Sequence, residues 1–189
     1  MDYPIALKEW ATVLTAMELG EQLIMIRKGG LIEPGSGFQL LAREFLLYPT
    51  YEHQAVQYLR APYQAYFQQA QQHRSPEGQL RFVLAAEAVG SLVSHDPSLV
   101  ERLSGFHIYN DVFLQQRLKW QPDQPLMVVV VRVFRLPSPV MVPAAPSYAG
   151  CRSWVQLESP VTVVGRVPVL DEELFARRRQ ELANVLGTL

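Results

Sequence analysis

The run LMVVVVRVFRL, residues 126–136, constrains the fold more than any other stretch of this chain. Up to Val131 every position is apolar, so a strand formed here has two apolar faces. Such a strand must be covered on both sides. The run therefore predicts a central, buried strand of a sheet, and it is too short to span a bilayer.

The start of the chain predicts a helix. Pro4 suits a first helical turn and Gly20 suits the left-handed residue after a last turn. Between them, apolar residues recur at helical spacing: Leu7, Trp10, Leu14 and Met17.

Further elements alternate between strand and helix. Strands are predicted at 22–27, 38–48, 140–142, 153–157 and 161–169, and at 80–93, where valines favour a strand although alanines favour a helix. Helices are predicted from Thr50 to about Gln72 with a break at Pro62, and at 97–103, 111–120 and 172–186. Predicted helix caps are Thr50, Ser94 or Asp96, Asn110 and Asp171. This order, without an internal repeat, indicates one α+β domain over residues 1–189 with a strongly bent mixed or antiparallel sheet.

Composition excludes some classes of function. Hydrophobic residues make up 49% of the 189 residues and charged residues 19%, which is enough to bury a core. The formal net charge of -1 argues against coating DNA or a membrane by bulk attraction, although local basic patches remain possible. The N-terminus does not look like a signal peptide, and a single cysteine, Cys151, fits a reducing cytosol. We therefore expect a cytoplasmic protein without a membrane partner.

Several stretches resemble a bacterial family known only as domain of unknown function 1802. They are LKEWA, RKGG, REFLLYPTYEHQ, RLKWQPDQPL, RVFRL and GCRSWV. The resemblance covers nearly the whole chain and brings no established activity. Some members of the family are joined to a restriction-endonuclease-like domain, which implies work near DNA.

A second resemblance concerns the stretch from Gly20 to Arg27. A tryptophan-bearing helix, a glycine and a strand ending in arginine are similar to the ASCH group of the PUA-like superfamily, in which a lysine stands two residues after the glycine. Here Gln22 takes that place, which speaks against lysine-dependent hydrolysis because an amide is neither a base nor a cation. The resemblance implies a PUA-like bent mixed barrel with peripheral helices and binding of RNA or modified bases. A few ASCH members hydrolyse amides on nucleosides.

The end of the predicted strand at 22–27 is the first candidate site. Arg27 and Lys28 either solvate the strand end or bind a phosphate or carboxylate, helped by the backbone of Gly29 and Gly30. Gln22 and Arg27 have opposite parity in a regular strand, so they share a pocket only if the strand is irregular.

The stretch REFLLYPTYEHQ is the second candidate. Under the hypothesis of a nuclease, Glu33 or Glu44 would bind a magnesium ion together with Glu52, with His53 beside them. The lysine of such a motif is missing and a proline interrupts the strand. A charged helix start, capped by Thr50, is the simpler interpretation.

Basic and aromatic residues around the apolar run form a third candidate. One of Arg132 and Arg135 must emerge near the core and needs a partner, for which Asp111 or Glu101 is available. The alternative is a surface for single-stranded nucleic acid, on which Trp120 or Tyr109 stacks on a base.

The stretch GCRSWV is the last candidate. Cys151 is expected to be buried and inert, Trp154 to lie in the core, and Arg152 to be available for an anion. The histidines show no metal-ligand spacing, so we expect neither a metal nor another cofactor.

Together these patterns favour a non-enzymatic nucleic-acid-binding module that serves DNA restriction or RNA handling. Its expected contacts are Gln22, Arg27, Lys28, Arg43, Trp120, Arg132 and Arg152, with Tyr51 as another stacking residue. Two alternatives stay open. One is a small metal-dependent nuclease or nucleoside amide hydrolase that uses Glu44, Glu52 and His53. The other is a protein-interaction module that docks through the glutamine-rich segment before His73.

Overall fold

The strands and helices of the computed structural model are given for residues 1–28 and 39–187, which are the residues that the structure describes. The strands are β1 (Asp2–Trp10), β2 (Ile24–Arg27), β3 (Glu44–Thr50), β4 (Gln79–Ser94), β5 (Leu126–Pro143), β6 (Trp154–Thr162) and β7 (Val167–Pro168). The α-helices are α1 (Ala11–Glu18), α2 (Gln64–Gln72), α3 (Leu99–Arg102), α4 (Asp111–Lys119) and α5 (Glu172–Leu186). The predicted segment around Gly29, Gly30 and Glu33 lies outside the described residues.

These seven strands form one mixed sheet in the order β2-β5-β4-β3-β1-β6, and β7 pairs with β5. The β1 and β3 strands run parallel, whereas the other pairs are antiparallel. Within the described residues this path is open from β2 to β6. The predicted α+β class and mixed sheet are confirmed.

The apolar run lies in an interior, buried strand of the sheet, next to the edge strand β2. β5 pairs with β2 on one side and with β4 on the other, and its residues Val128, Val129, Val130 and Val131 are all buried. The long β4 strand also forms as predicted. Its register with β5 shifts between Phe82 and Leu84 and again between Ala88 and Gly90. Such irregularities increase local twist, so they bend the sheet.

The predicted helix over the first ten residues is wrong, because this segment is the β1 strand. Pro4 is tolerated there since it lies at the register irregularity between Tyr3 and Ile5 opposite β6. Ala6 and Leu7 are both fully buried, one on each face of the sheet. The helical spacing of Leu7 and Trp10 did not predict this two-sided burial. Within residues 1–20 only the α1 segment is helical. Gly20 follows it with a φ of 76°, as predicted.

The predicted helix from Thr50 is also wrong in its first part. Thr50 ends β3, and its hydroxyl donates a hydrogen bond to the carbonyl oxygen of Glu9 at 3.1 Å instead of capping a helix. Two 3₁₀ turns, Val56–Tyr58 and Ala61–Tyr63, precede α2. Pro62 lies in the second turn, where its missing N–H is tolerated.

The predicted strand at 140–142 is not separate but continues β5 to Pro143. The segment 161–169 is divided between the end of β6 and the short β7. The caps at Asn110 and Asp171 are confirmed, since their side chains accept hydrogen bonds from the N–H groups of Phe113 and Leu174.

Apolar side chains are buried on both faces of the sheet. On one face, sheet residues pack against α1, α3, α4 and α5, through Leu14, Met17, Leu99, Leu114 and Leu182 among others. A smaller cluster on the other face contains Tyr3, Leu46, Phe82, Leu136 and Tyr148. Neighbouring residues of one strand contribute to different faces, as the period of a strand requires.

Gly20 allows a direct test of this packing. Replacing Gly20 with alanine is expected to lower the free energy of unfolding by about 2 kcal/mol, from a left-handed backbone and an overpacked contact. A Cβ atom at this position would clash with Cδ2 of Leu170. Gly78 has a similar φ of 75° and nothing within 4 Å of such a Cβ. Gly78→Ala is therefore the control, expected to lose about 1 kcal/mol in urea unfolding. Equal losses for the two variants would contradict the packing argument.

Candidate functional site

Gln22 is fully buried and serves to connect two segments of the fold. Its amide nitrogen donates to the carbonyl oxygen of Ile24 at 2.9 Å, and its amide oxygen accepts from the N–H of Ile108 at 3.0 Å. Both halves of the amide are thus used within the protein. In this structure the side chain is not available to the edge of a base.

Arg27 and Lys28 are buried as well. The Arg27 guanidinium donates to a carboxylate oxygen of Glu9 at 3.0 Å and to the carbonyl oxygen of Lys8 at 2.6 Å. The ammonium of Lys28 donates at 2.5 Å to the carbonyl oxygen of Leu118 in the last turn of α4, where a cation is favoured. Burial lowers the pKa of Lys28 below its ordinary value, and the nearby Arg117 lowers it further. Both cations hold internal positions, and their predicted contact with an anion stays a prediction.

The arginines predicted on the sheet form ion pairs with partners that the sequence did not reveal. Arg43 lies 2.7 Å from Glu87, with 76% of the arginine side chain exposed. Arg132 pairs with Glu172 at 2.6 Å, so the predicted partners, Asp111 and Glu101, are wrong.

The two aromatic residues of the third candidate differ in exposure. Tyr109 is buried and stacks on Phe113 with ring centroids 4.6 Å apart, so it offers no free face to a base. Trp120 is half-buried, and the guanidinium of Arg117 lies 5.8 Å from the centre of its ring.

The first three residues of the GCRSWV segment are exposed. Cys151 is exposed, so its predicted burial is wrong: it lies in an exposed stretch after Gly150, whose φ is 87°. Trp154 is buried as predicted. Arg152 is exposed and remains available to an anion. The ammonium of Lys8 holds this segment by donating to the carbonyl oxygens of Tyr148 at 2.6 Å and Gly150 at 2.8 Å.

The residues of the nuclease alternative are not brought together. Glu44 begins β3 and binds Arg166 at 2.6 Å. Glu52 and His53 are exposed beyond the other end of this strand, which is about 20 Å long at ~3.3 Å per residue. Over residues 1–28 and 39–187, no group of three or more His, Cys, Asp or Glu residues is arranged to hold a metal ion.

One cleft combines an aromatic ring with cations, and we call it the Tyr51 cleft. It has a volume of about 130 Å³ and lies between α1, α2, β4 and the end of β3. Its lining residues are Ala11, Leu14, Thr15, Glu18, Leu47, Pro49, Tyr51, Ala70, His73, Arg81, Val83 and Leu84.

Regular periodicity explains why these residues meet. Alternate residues of the third strand and its continuation, Leu47, Pro49 and Tyr51, share one face. In α1, the lining positions 11, 14, 15 and 18 form a single helical stripe. The register irregularity of β4 after Phe82 brings both Val83 and Leu84 to the cleft.

The charges at the Tyr51 cleft come from Arg81 and Glu18 in its lining and from Arg74 beside the Tyr51 ring. The guanidinium carbon of Arg74 lies 5.0 Å from the centre of the Tyr51 ring, within the range of a cation–π contact. Burial raises the pKa of the Tyr51 hydroxyl, while the positive charges of Arg74 and Arg81 act against that rise. Neither arginine forms an ion pair with any carboxylate in the described part of the chain. The cleft can thus take a flat ring with a negative group beside it.

Tyr51 was predicted from the sequence as a stacking residue, whereas His73, Arg74 and Arg81 were not predicted. The alternation at 47, 49 and 51 and the stripe in α1 are visible in the sequence. These two patterns could not be combined into a site, because helices were predicted over the first ten residues and from Thr50 onwards. In the structure the first of these segments is a strand, and Thr50 ends a strand.

No helix of the described residues is both long and apolar enough to cross a bilayer.

A family model described as "Domain of unknown function (DUF1802)" matches residues 6–181. No curated protein matches the chain.

Among solved structures, similar chains include ASCH from Zymomonas mobilis, with a TM-score of 0.43, 11% identity, and coverage of 95% of this chain and 93% of that chain. Two point mutants of the Zymomonas mobilis protein are also similar. One has a TM-score of 0.46 and 9% identity, covering 82% of this chain and 89% of the other. The second has a TM-score of 0.44 and 10% identity, covering 94% of each chain. ASCH is the group that the stretch from Gly20 to Arg27 resembled.

Proposed function

We propose that this chain, which belongs to the family described as Domain of unknown function (DUF1802), is a nucleic-acid-binding module that holds one base of a single strand in the Tyr51 cleft. The observation that carries the proposal is the combination of a half-buried aromatic ring with two arginines that have no described carboxylate partner. Bases stack on aromatic rings irrespective of sequence, and guanidinium groups bind phosphate through a planar fork of donors.

The charge of the whole chain supports modest rather than tight binding. With a formal net charge of -1, few phosphates are neutralised, so affinity should fall only gently as salt rises. A base in a duplex is stacked on its neighbours and cannot enter a cleft without being extruded, which costs free energy. A single strand is therefore the preferred ligand.

Arg152 is the residue of the sequence-based set that best fits an outer phosphate contact, because it is exposed and forms no ion pair with a carboxylate among residues 1–28 and 39–187. Arg43 and Arg132 would have to exchange their ion pairs with Glu87 and Glu172 for a phosphate. We propose the Tyr51 cleft as the principal site and Arg152 as an addition to it.

The test is a fluorescence-anisotropy titration with labelled single-stranded RNA, single-stranded DNA and duplex DNA at two salt concentrations. Tyr51→Ala is expected to weaken single-strand binding about tenfold, because one stacked base contributes about 1–3 kcal/mol. Arg74→Ala and Arg81→Ala should also weaken it and reduce its dependence on salt.

Tyr63 supplies a matched control outside the cleft. It is half-buried, and the guanidinium carbon of Arg60 lies 5.3 Å from its ring centre, so Tyr63→Ala removes a similar tyrosine–arginine contact. This variant should bind as the unmodified protein does. Binding to none of the three nucleic acids, or equal losses for Tyr51→Ala and Tyr63→Ala, would overturn the proposal.

A further inference from the structure

The geometry points to guanine as the base that the Tyr51 cleft selects, with the carboxylate of Glu18 as the group that reads it. This inference rests on the proposed function, because it names the ligand of the same cleft. It adds a specificity that neither the family description nor the sequence resemblances contain.

Glu18 supplies the carboxylate among the residues that line the cleft. It ends α1, and 41% of its side chain is exposed. Arg135 fixes the position of this residue, since its guanidinium donates to the backbone carbonyl oxygen of Glu18. The same guanidinium lies 3.9 Å from one carboxylate oxygen, which is beyond the range of a good hydrogen bond. Both carboxylate oxygens therefore keep acceptor capacity for a ligand.

A carboxylate accepts hydrogen bonds and donates none. On the Watson–Crick edge of guanine, N1–H and the N2 amino group are two adjacent donors, which match the two oxygens of one carboxylate. Cytosine and adenine place an acceptor nitrogen beside their single amino donor, so one oxygen would face a lone pair. Uracil offers one N–H between two acceptor oxygens. Guanine is thus the base that a carboxylate binds without a repulsive contact.

Two further lining residues suit the remaining features of guanine. Arg81 and His73 line the cleft and supply donors for the O6 oxygen or a neighbouring phosphate. Tyr51 supplies the stacking surface. The volume of about 130 Å³ is well below the roughly 300 Å³ of pockets that bury drug-sized ligands, which fits one base and not a stack of several.

Uridine-rich RNA strands that differ only in one central base test the inference by anisotropy. The strand with guanine should bind at least about fivefold tighter than those with adenine, cytosine or uracil. This factor is the lower end of the discrimination that a good bidentate base contact provides. A strand with inosine, which keeps N1–H but lacks the N2 amino group, should lose most of that advantage. Free guanosine monophosphate as a competitor distinguishes a nucleotide ligand from a base within a strand.

Glu18→Gln should remove the preference for guanine, because an amide offers one acceptor and one donor. In this variant the strand with guanine and the all-uridine strand should bind with equal affinity. Glu101→Gln, at an exposed position outside the cleft, is the matched control and should keep the preference. Equal binding of all strands would overturn the guanine inference and leave the proposed function standing. Tighter binding of RNA than of DNA whatever the base would also overturn it, by pointing to the ribose. Binding of no strand would overturn both.

Discussion

Replacing Glu9 with glutamine is expected to lower the free energy of unfolding by about 3 kcal/mol, the loss typical when one partner of a buried ion pair is removed. Glu9 is 6% exposed, and one of its carboxylate oxygens lies 3.0 Å from the guanidinium of Arg27. Its other oxygen accepts from the N–H of Trp10 at 2.8 Å. The amide can still accept one hydrogen bond, but it removes the negative charge that lies 3.0 Å from the buried guanidinium. Urea unfolding followed by circular dichroism measures the change.

The pair formed by Arg43 and Glu87 is the control for this experiment. The arginine of that pair is mostly exposed, so Glu87→Gln should cost no more than about 1 kcal/mol. Similar losses for the two variants would contradict a structural role for the pair of Glu9 and Arg27. A large loss for Glu9→Gln alone would mean that Arg27 stabilises the fold, whatever else it binds.

Burial of Arg27 could not be predicted from its own neighbourhood. Its partner, Glu9, lies on β1, and the sequence favoured a helix there because Leu7, Trp10, Leu14 and Met17 recur at helical spacing. That spacing combines two residues of a strand with two of the helix that follows it. In contrast, the buried interior position of β5 was predictable, because a strand with two apolar faces must be covered on both sides.

The candidate site illustrates the same limit. The residues of each wall of the Tyr51 cleft are spaced in the sequence as one face of a strand or helix requires, as in the alternation of Leu47, Pro49 and Tyr51. That these walls face each other depends on the parallel pairing of β1 and β3, which brings α1 over the end of β3. This pairing joins residues about 40 positions apart, from Ala6 with Leu46 to Trp10 with Thr50. No local pattern encodes a contact of that range, so Arg81 and His73 could not be joined to Tyr51 beforehand.

Acid is expected to destabilise the protein through His107 well before its carboxylates are protonated. The side chain is 2% exposed, and burial lowers its pKa to about 4. The positive charge of Arg60 also lowers this pKa, whereas the contact with the carbonyl oxygen of Val100 and the charge of Asp111 raise it. Between the ordinary pKa of about 6.5 and about 4, the unfolded chain binds a proton that the folded chain does not.

The sign of the effect follows from this difference in proton binding. Stability from the neutral imidazole is fully present above pH 6.5, is lost as the pH falls, and stops changing below about pH 4, where the folded state is protonated too. The total loss is about 3 kcal/mol, of which about 2 kcal/mol has occurred at pH 5. Urea unfolding at pH 7 and pH 5 measures it.

His107→Leu separates this histidine from every other titrating group. The variant should lose about 2 kcal/mol less than the unmodified protein between pH 7 and pH 5, since leucine binds no proton in either state. His95→Leu, at an exposed position, is the matched control for the change of histidine to leucine. If His107→Leu followed the same pH dependence as the unmodified protein, the imidazole would have to be protonated in the folded state. Its packing against Tyr109, with ring centroids 5.6 Å apart, would then have to accommodate a charged ring in the core.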